Sequence, residues 1–289
     1  MTGFSPTWLD LREPFDTAAR TSYLIELLRS EHAASETLHV LDLACGTGAN
    51  LRYLAPRLGG VQGWTLVDND PVLLSARPQR LKAWATGVGA QYRIDRGLTI
   101  QITAPDFECH VRSRQLDLVT ELNQLETSTV QLVTASALLD LVSPEWLHEL
   151  AGFCQRHNSG VLFALNYDGR IAIVPADPID ERLRELVNQH QRTDKGFGPA
   201  LGPECVLAVE QLYNGLGYHL QLQPSDWQID AGHLSLQQML LQGWLDAAVE
   251  MAPQEGNELR AWGRRRSRQT EITGLQITVG HVDIAGWLA

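Results

Sequence analysis

The stretch Val40-Leu-Asp-Leu-Ala-Cys-Gly-Thr-Gly-Ala-Asn50, with the later Thr65-Leu-Val-Asp-Asn-Asp-Pro71, decides the fold. The first is a short apolar run that passes into a glycine-rich turn and then a helix; the second is a strand ending in an acidic residue ahead of a capped helix. Asp68 stands about twenty residues beyond Gly48, the spacing at which the second strand of a doubly wound sheet presents a carboxylate to a ribose. A nucleoside-containing cofactor is the first expectation.

Details of the turn choose among such cofactors. A dinucleotide site needs G-x-G-x-x-G, and after Gly46 and Gly48 the third position is Leu51. This counts against a nicotinamide or flavin dinucleotide. Asp42-Leu-Ala-Cys-Gly-Thr-Gly48 instead resembles motif I of the class I S-adenosylmethionine-dependent methyltransferases, and Val67-Asp-Asn-Asp-Pro71 resembles the end of their second strand. Ala44 stands where that family most often has glycine, yet a small residue still lets backbone approach a ligand. S-adenosylmethionine carries no phosphate, so a nest of many N–H donors is not required. Asp68 has two acceptor oxygens for two ribose hydroxyls.

The resemblance implies an α/β fold: a Rossmann-like, doubly wound, seven-stranded, mostly parallel sheet in the order 3-2-1-4-5-7-6, with an antiparallel seventh strand. It also implies cofactor contacts from Asp42, Ala44, Cys45, Gly46, Gly48, Asp68 and Asn69. Arg20 is a candidate for the cofactor carboxylate, with a surface ion pair as its alternative. Asp117 and Leu118 are the carry-over for the adenine, with Asp106-Phe107 competing. Ala135 and Ser136 fall at the end of the fourth strand, and Leu139 and Asp140 lie just beyond.

Composition fits this class. With 289 residues, 44% hydrophobic, the chain can bury a large core. It shows no apolar run near a membrane-spanning length and no secretory leader, so a cytoplasmic protein is expected. Cys45, Cys109, Cys154 and Cys205 are widely spaced, which argues against a disulfide scaffold or a zinc site, and no metal is implied. The formal charge of −11 disfavours nucleic acid as substrate. The basic cluster Arg264-Arg-Arg-Ser-Arg268 reads as a solvated helix C-terminus or a local patch.

Periodicity gives an N-terminal helical cap (1–34) with a helix over Trp8 to Arg29, then a cofactor-binding core (35–167). Its expected elements are a strand at 38–43, a helix at 48–57, a strand at 63–68 and a helix at 71–85 begun by Asp70 and Pro71. Strands near 98–103 and 108–114 follow, then a fourth strand in the apolar run Val130 to Val142 and a fifth from Gly160 to Asn166. Residues 168–203 read as an insertion with a helix at 179–191 and a lid loop, 192–203, holding three glycines and two prolines. The remainder (204–289) completes the sheet through a helix at 204–216, a strand near 219–222 and a last strand at 275–282. Between those strands, at about 230–270, lies a helical insertion. Ser235-Leu-Gln-Gln238 is a capping-box signal, Leu236, Leu240, Trp244 and Ala247 form a stripe, and another helix is expected at 254–266. Its tryptophans are either core, the favoured reading, or walls of an acceptor pocket.

These observations predict transfer of a methyl group to a small-molecule acceptor by in-line displacement, which needs positioning more than covalent help. Where the acceptor must lose a proton, His190, Asp194, Tyr167 and Asp140 are the candidates. His281 reads as a packed histidine. The alternatives are a non-catalytic S-adenosylmethionine-binding sensor or scaffold of the same fold and, less favoured, a nicotinamide-dependent oxidoreductase.

Overall fold

The computed structural model of the chain describes residues 5–31, 35–125 and 129–288. The expected end of the N-terminal cap at residue 34 lies outside them.

Ser5 starts α1 (Pro6–Ala19) by accepting the Trp8 amide, with Pro6 in the first turn. One helix over 8–29 was expected; the structure has two, because Arg20 adopts extended backbone and α2 (Tyr23–Glu31) begins anew. The break turns the Arg20 side chain inward, where it is buried. β1 (Leu38–Leu43), α3 (Ala49–Leu58), β2 (Gly60–Asp68) and α4 (Pro71–Gly87) follow as the spacing predicts. Asp70 caps α4 by accepting the Val72 amide at 2.8 Å.

The next stretch holds three strands where two were expected: β3 (Gln91–Ile94), β4 (Ile100–Thr103) and β5 (Phe107–Gln115). β3 and β4 form an antiparallel addition, and β5 is the parallel neighbour of β2. A short helix, α5 (Leu118–Glu121), leads towards β6 (Leu132–Ser136). The fourth strand is thus much shorter than Val130–Val142. Ala137 enters the left-handed region (φ 52°) and ends it, while the apolar run continues because Leu138, Leu139 and Val142 are buried in a loop. Next come α6 (Pro144–Arg156) and β7 (Gly160–Val174). The fifth strand does not stop at Asn166, since its antiparallel partner pairs with it as far as Val174, so the insertion begins only after Val174.

α7 (Asp180–Gln191), α8 (Cys205–Gly215), β8 (Tyr218–Pro224) and β9 (Trp227–Ile229) precede α9 (Leu234–Met251), α10 (Gly256–Ile272) and β10 (Gln276–Leu288). The capping box at Ser235 does not form, because α9 already starts at Leu234 and His233 flanks it without a side-chain cap. α10 runs on to Ile272, so the arginine cluster is mid-helix. Arg266 is fully buried and paired with Asp180, and Arg265 pairs with Asp177 at 2.8 Å. Only part of the cluster is therefore a solvated face.

The sheet has ten strands rather than seven. Its path is β3-β4-β5-β2-β1-β6-β7-β10-β8, with β9 paired to β10. Without β3, β4 and β9 this is the expected 3-2-1-4-5-7-6 order, and β10 is antiparallel to both β7 and β8. The chain has the Rossmann-like doubly wound fold.

Alternation explains why its central strands are apolar on both faces. Leu41, Leu43, Val133, Ala135, Val161 and Phe163 pack with α6 and α8, whereas Val40, Leu132 and Leu162 pack with α2, α3 and α4. A third apolar cluster gathers α7, α9 and α10 around β9, the start of β10 and the extension of β7, with Trp8, Leu11 and Phe15 of α1 against it. It stands beside the carboxyl edge of the parallel strands, where open α/β sheets bind ligands. No helix among the described residues is long and apolar enough to cross a membrane.

Candidate functional site

The turn after β1 carries three residues in the left-handed region, Ala44 (φ 50°), Gly46 (φ 51°) and Gly48 (φ 83°). Ala137 and Leu165 (φ 56°) add two more non-glycine residues of this kind, beside the same edge. Such strain costs about 1–3 kcal/mol per residue and concentrates where a ligand contact needs the geometry.

Beneath the turn lies a buried polar network. Asp42 Oδ1 accepts from Asn50 Nδ2 at 2.7 Å, Asn50 Nδ2 also lies 3.1 Å from Thr134 Oγ1, and Arg20 Nη1 donates to Asn50 Oδ1 at 2.8 Å. Arg20 Nε is 3.6 Å from Asp283 Oδ2, so the surface ion pair considered for Arg20 is in fact a buried one. Asp42 Oδ2 and Arg20 Nε have no hydrogen-bond partner among the described residues. Burial pushes the Asp42 carboxyl up to about 7 against the opposing pull of the Asn50 hydrogen bond and of Arg20 and Arg77. Cys45 places its thiol 2.9 Å from Arg77 Nη1, and burial raises it well above the ordinary thiol range.

Asp68 reaches the end of β2, where Oδ2 accepts the Gly46 amide at 2.7 Å and Oδ1 the Asp70 amide at 2.9 Å. Each oxygen keeps a second lone pair. Asn69 is exposed beside it. Asp117 caps α5, accepting the Val119 amide at 2.9 Å, and Leu118 is buried with its carbonyl accepting Trp146 Nε1 at 2.7 Å. Both follow the end of β5 and hence lie at the ligand edge. The competing pair Asp106-Phe107 does not: the Asp106 carbonyl accepts the Gly60 amide at the start of β2, the opposite edge of the sheet. Ala135 is buried in β6 and Ser136 opens onto the groove beside the turn.

That groove is lined by Asp42, Ala44 to Thr47, Asn50 and Ser136, and is roofed by Leu9, Arg12 and Asp16 of α1. Its free volume is only about 70 Å³. The roof buries none of its own residues fully. It is tied down by Glu13 to Arg52 at 2.6 Å, by Asp10 to Arg80, and by Asp16, which accepts from Trp227 Nε1 at 3.1 Å.

A larger cavity of about 520 Å³ adjoins it, meeting the groove at Arg12 and at the Ser136–Ala137 step. Its walls bring together all four proton-transfer candidates, Asp140, Tyr167, His190 and Asp194. They differ in availability. Tyr167 Oη donates to Asn188 Oδ1 at 2.7 Å, and burial raises its phenol. Asp194 Oδ1 accepts the Gly196 and Gly198 amides. His190 Nδ1 lies 3.3 Å from Lys195 Nζ, and burial and that ammonium hold the imidazole below its usual value. Asp140 has an unpartnered Oδ1, and burial raises it to about 6.

The loop 192–203 is fastened at this wall. The Leu201 amide donates to the Val142 carbonyl, the Gly202 amide donates to the Asp140 carbonyl, and Phe197 meets Trp146 edge-on.

Reading the residues alone missed Trp8, Arg12, Lys195, Trp227 and Glu250 as cavity residues. They come from four separate segments with no spacing to link them. His281 is buried as expected, but it also lines the cavity, with Nδ1 unpartnered and the ring held neutral by burial down to about 3. Of the tryptophans in the helical insertion, Trp262 is core and half-buried Trp244 is wall, which splits the two readings. Among the described residues no cluster of His, Cys, Asp and Glu could hold a metal ion, and all four cysteines are free and buried.

No protein-family pattern matches the chain, and no curated protein matches it. Solved structures are similar in fold. The YcgJ protein from Bacillus subtilis is 13% identical over 93% of this chain and 99% of its own, with a TM-score of 0.48. The cyclopropane synthase MmaA2 from Mycobacterium tuberculosis is 12% identical over 90% and 82%, at 0.45. An S-adenosylmethionine-dependent methyltransferase from Thiobacillus denitrificans, in complex with S-adenosyl-L-homocysteine, is 14% identical over 98% and 99%, also at 0.45. Similarity at this level says nothing of the ligand or acceptor of this chain.

Proposed function

We propose that the chain binds S-adenosylmethionine at the turn 44–48 and transfers its methyl group to a small molecule held in the adjoining cavity. The observation that carries this reading is the meeting of the two spaces: a left-handed turn over a buried polar network opens, at Arg12 and the Ser136–Ala137 step, onto a cavity of substrate size.

The charges fit the cofactor. Its amino-acid end carries an ammonium and a carboxylate, and the network offers Asp42 Oδ2, without a hydrogen-bond partner among the described residues, and the Arg20 guanidinium, whose Nε is ion-paired with Asp283 but makes no hydrogen bond there. The spare lone pairs of Asp68 suit ribose hydroxyls, and Asp117 with Leu118 stands at the edge position for the adenine. When bound, S-adenosylmethionine supplies a methyl group already activated by its sulfonium charge. The protein's part is to hold the acceptor in line, exclude water, and take a proton where one is lost. The groove is well below the roughly 300–1,000 Å³ of a small-molecule site, so α1 lifts as the cofactor enters.

The commitment of Tyr167 and Asp194 to internal hydrogen bonds favours, as second reading, a protein that binds the cofactor without turnover. Calorimetric titration with S-adenosylmethionine, S-adenosylhomocysteine and NAD tests the assignment. Binding of both adenosyl ligands but not NAD is expected. NAD binding alone would overturn it, and methyl release in an acceptor screen separates enzyme from sensor.

A further inference from the structure

Two buried polar atoms of the cavity wall, Asp140 Oδ1 and His281 Nδ1, lack a hydrogen-bond partner among the described residues, and each side chain is only 6% exposed. Both residues line the 520 Å³ cavity. A buried carboxylate oxygen without a donor is costly, so the pair calls for a polar group from whatever fills the space. The remaining wall is dominated by rings and aliphatic groups, chiefly Trp8, Tyr167, Trp227, Trp244 and Leu240.

The sign of the local field narrows the choice. Arg12 of α1 and Lys195 of the loop 192–203 act on Asp140 with positive charge, while Tyr167 and Cys205, the other titratable groups near it, are kept protonated by burial. An ammonium group beside Asp140 would share its place with two cations; a neutral hydroxyl would not. Asp140 also follows β6 closely, on the side where the cavity meets the cofactor groove.

We infer that the cavity takes a flat, largely apolar acceptor bearing a hydroxyl group, which donates its hydrogen bond to Asp140 and is methylated on that oxygen. The inference rests on the methyl-transfer reading. In the step, the hydroxyl oxygen forms the new bond to the methyl carbon as the bond from that carbon to sulfur breaks. The breaking bond leaves its electron pair on sulfur, and the hydroxyl proton passes to Asp140 Oδ1. A carboxyl raised to about 6 is mostly ionised at neutral pH yet basic enough for that role. His281 presents a neutral imidazole for a second hydrogen bond to the same molecule.

The test uses the full chain with three probes that share one ring system: 2-naphthol, naphthalene and 2-naphthylmethylamine. Each is titrated with and without saturating S-adenosylhomocysteine, following tryptophan fluorescence. The naphthol should bind at least about tenfold more tightly than either of the others, and Asp140→Ala should abolish that preference. Trp244→Ala should weaken all three alike. With S-adenosylmethionine, Asp140→Asn should lower kcat for naphthol methylation by about 100-fold or more, leave KM little changed, and remove an acidic limb near pH 6.

Equal or tighter binding of the amine, a preference that survives Asp140→Ala, or no binding of any probe overturns the inference. Should Asp140→Ala not fold, Asp140→Leu, which keeps the side-chain volume without an acceptor, serves in the binding series. Failure of S-adenosylhomocysteine to bind sinks the methyl-transfer reading instead, while the probe preference measured without it still decides what the cavity selects.

Discussion

Two aspartates of the turn region look alike in sequence and do different work. Asp42 is buried with one oxygen unsatisfied, and its carboxyl is raised to about 7. In the folded state it therefore keeps a proton that the unfolded chain has released. The stability this lends is complete below about pH 4 and is lost as pH rises to about 7. Asp42→Asn should flatten urea-unfolding stability across that window and raise it at pH 7.5, while weakening S-adenosylmethionine binding about tenfold; an unchanged slope would show that Asp42 does not titrate there. Asp68 holds the turn itself through the Gly46 amide. Asp68→Asn keeps one acceptor for that amide, so the fold should persist while calorimetry finds cofactor binding weaker by more than tenfold. The position of Asp68 was legible from spacing and that of Asp42 from the resemblance at the turn. That Asp68 also braces Gly46 was not, because nothing in the sequence orients its carboxylate back along the chain.

Elements were legible where pattern and punctuation agreed. Proline and an aspartate cap fixed α4, and short apolar runs ahead of a turn fixed β1 and β2. They were misread where an apolar run served a loop, as after Ala137, or where a strand outlived its parallel neighbours, as in β7. Gly48 sits at φ 83° with Arg77 Cδ 3.4 Å from where a Cβ would stand. Gly48→Ala should thus cost about 1–2 kcal/mol in denaturant unfolding, and a neutral result would mean the turn relaxes freely. Helix α1 is held largely by charged side-chain pairs, which salt screens. Its amides should exchange hydrogen faster than those of α3 and faster still in molar salt; protection equal to that of α3 would argue against a lifting roof. Arg266 joins α10 to the Pro175 carbonyl and to Asp180 from a fully buried position. Arg266→Ala should cost about 3 kcal/mol or more by removing the cation that faces Asp180 and emptying a fully buried position, as measured by urea unfolding.

Across the whole molecule, the order of the central strands followed from resemblance at one short turn, while the acceptor side did not. Its cavity is assembled from α1, the loops after β6 and α7, the inner part of β7, β9, α9 and β10, and only three-dimensional closure makes them neighbours. Burial adds a further layer that no periodicity carries: within the cavity wall it leaves Asp140 Oδ1 and His281 Nδ1 without hydrogen-bond partners among the described residues.

β10 lies between β7 and β8, pairs with β9, and supplies Asp283 to Arg20 and His281 to the cavity. It is also the last of the described strands in chain order. During synthesis β8 therefore has no partner among the described strands, the cavity lacks a wall and Arg20 lacks Asp283, until β10 emerges. A stalled nascent chain halted before Gln276 should accordingly capture no S-adenosylhomocysteine and should engage chaperones, and release of the remaining residues should abolish that engagement. Ligand capture by the stalled chain would show that the turn works without its last strand. Competence is thus set by the synthesis of β10 rather than by the early appearance of the glycine-rich turn.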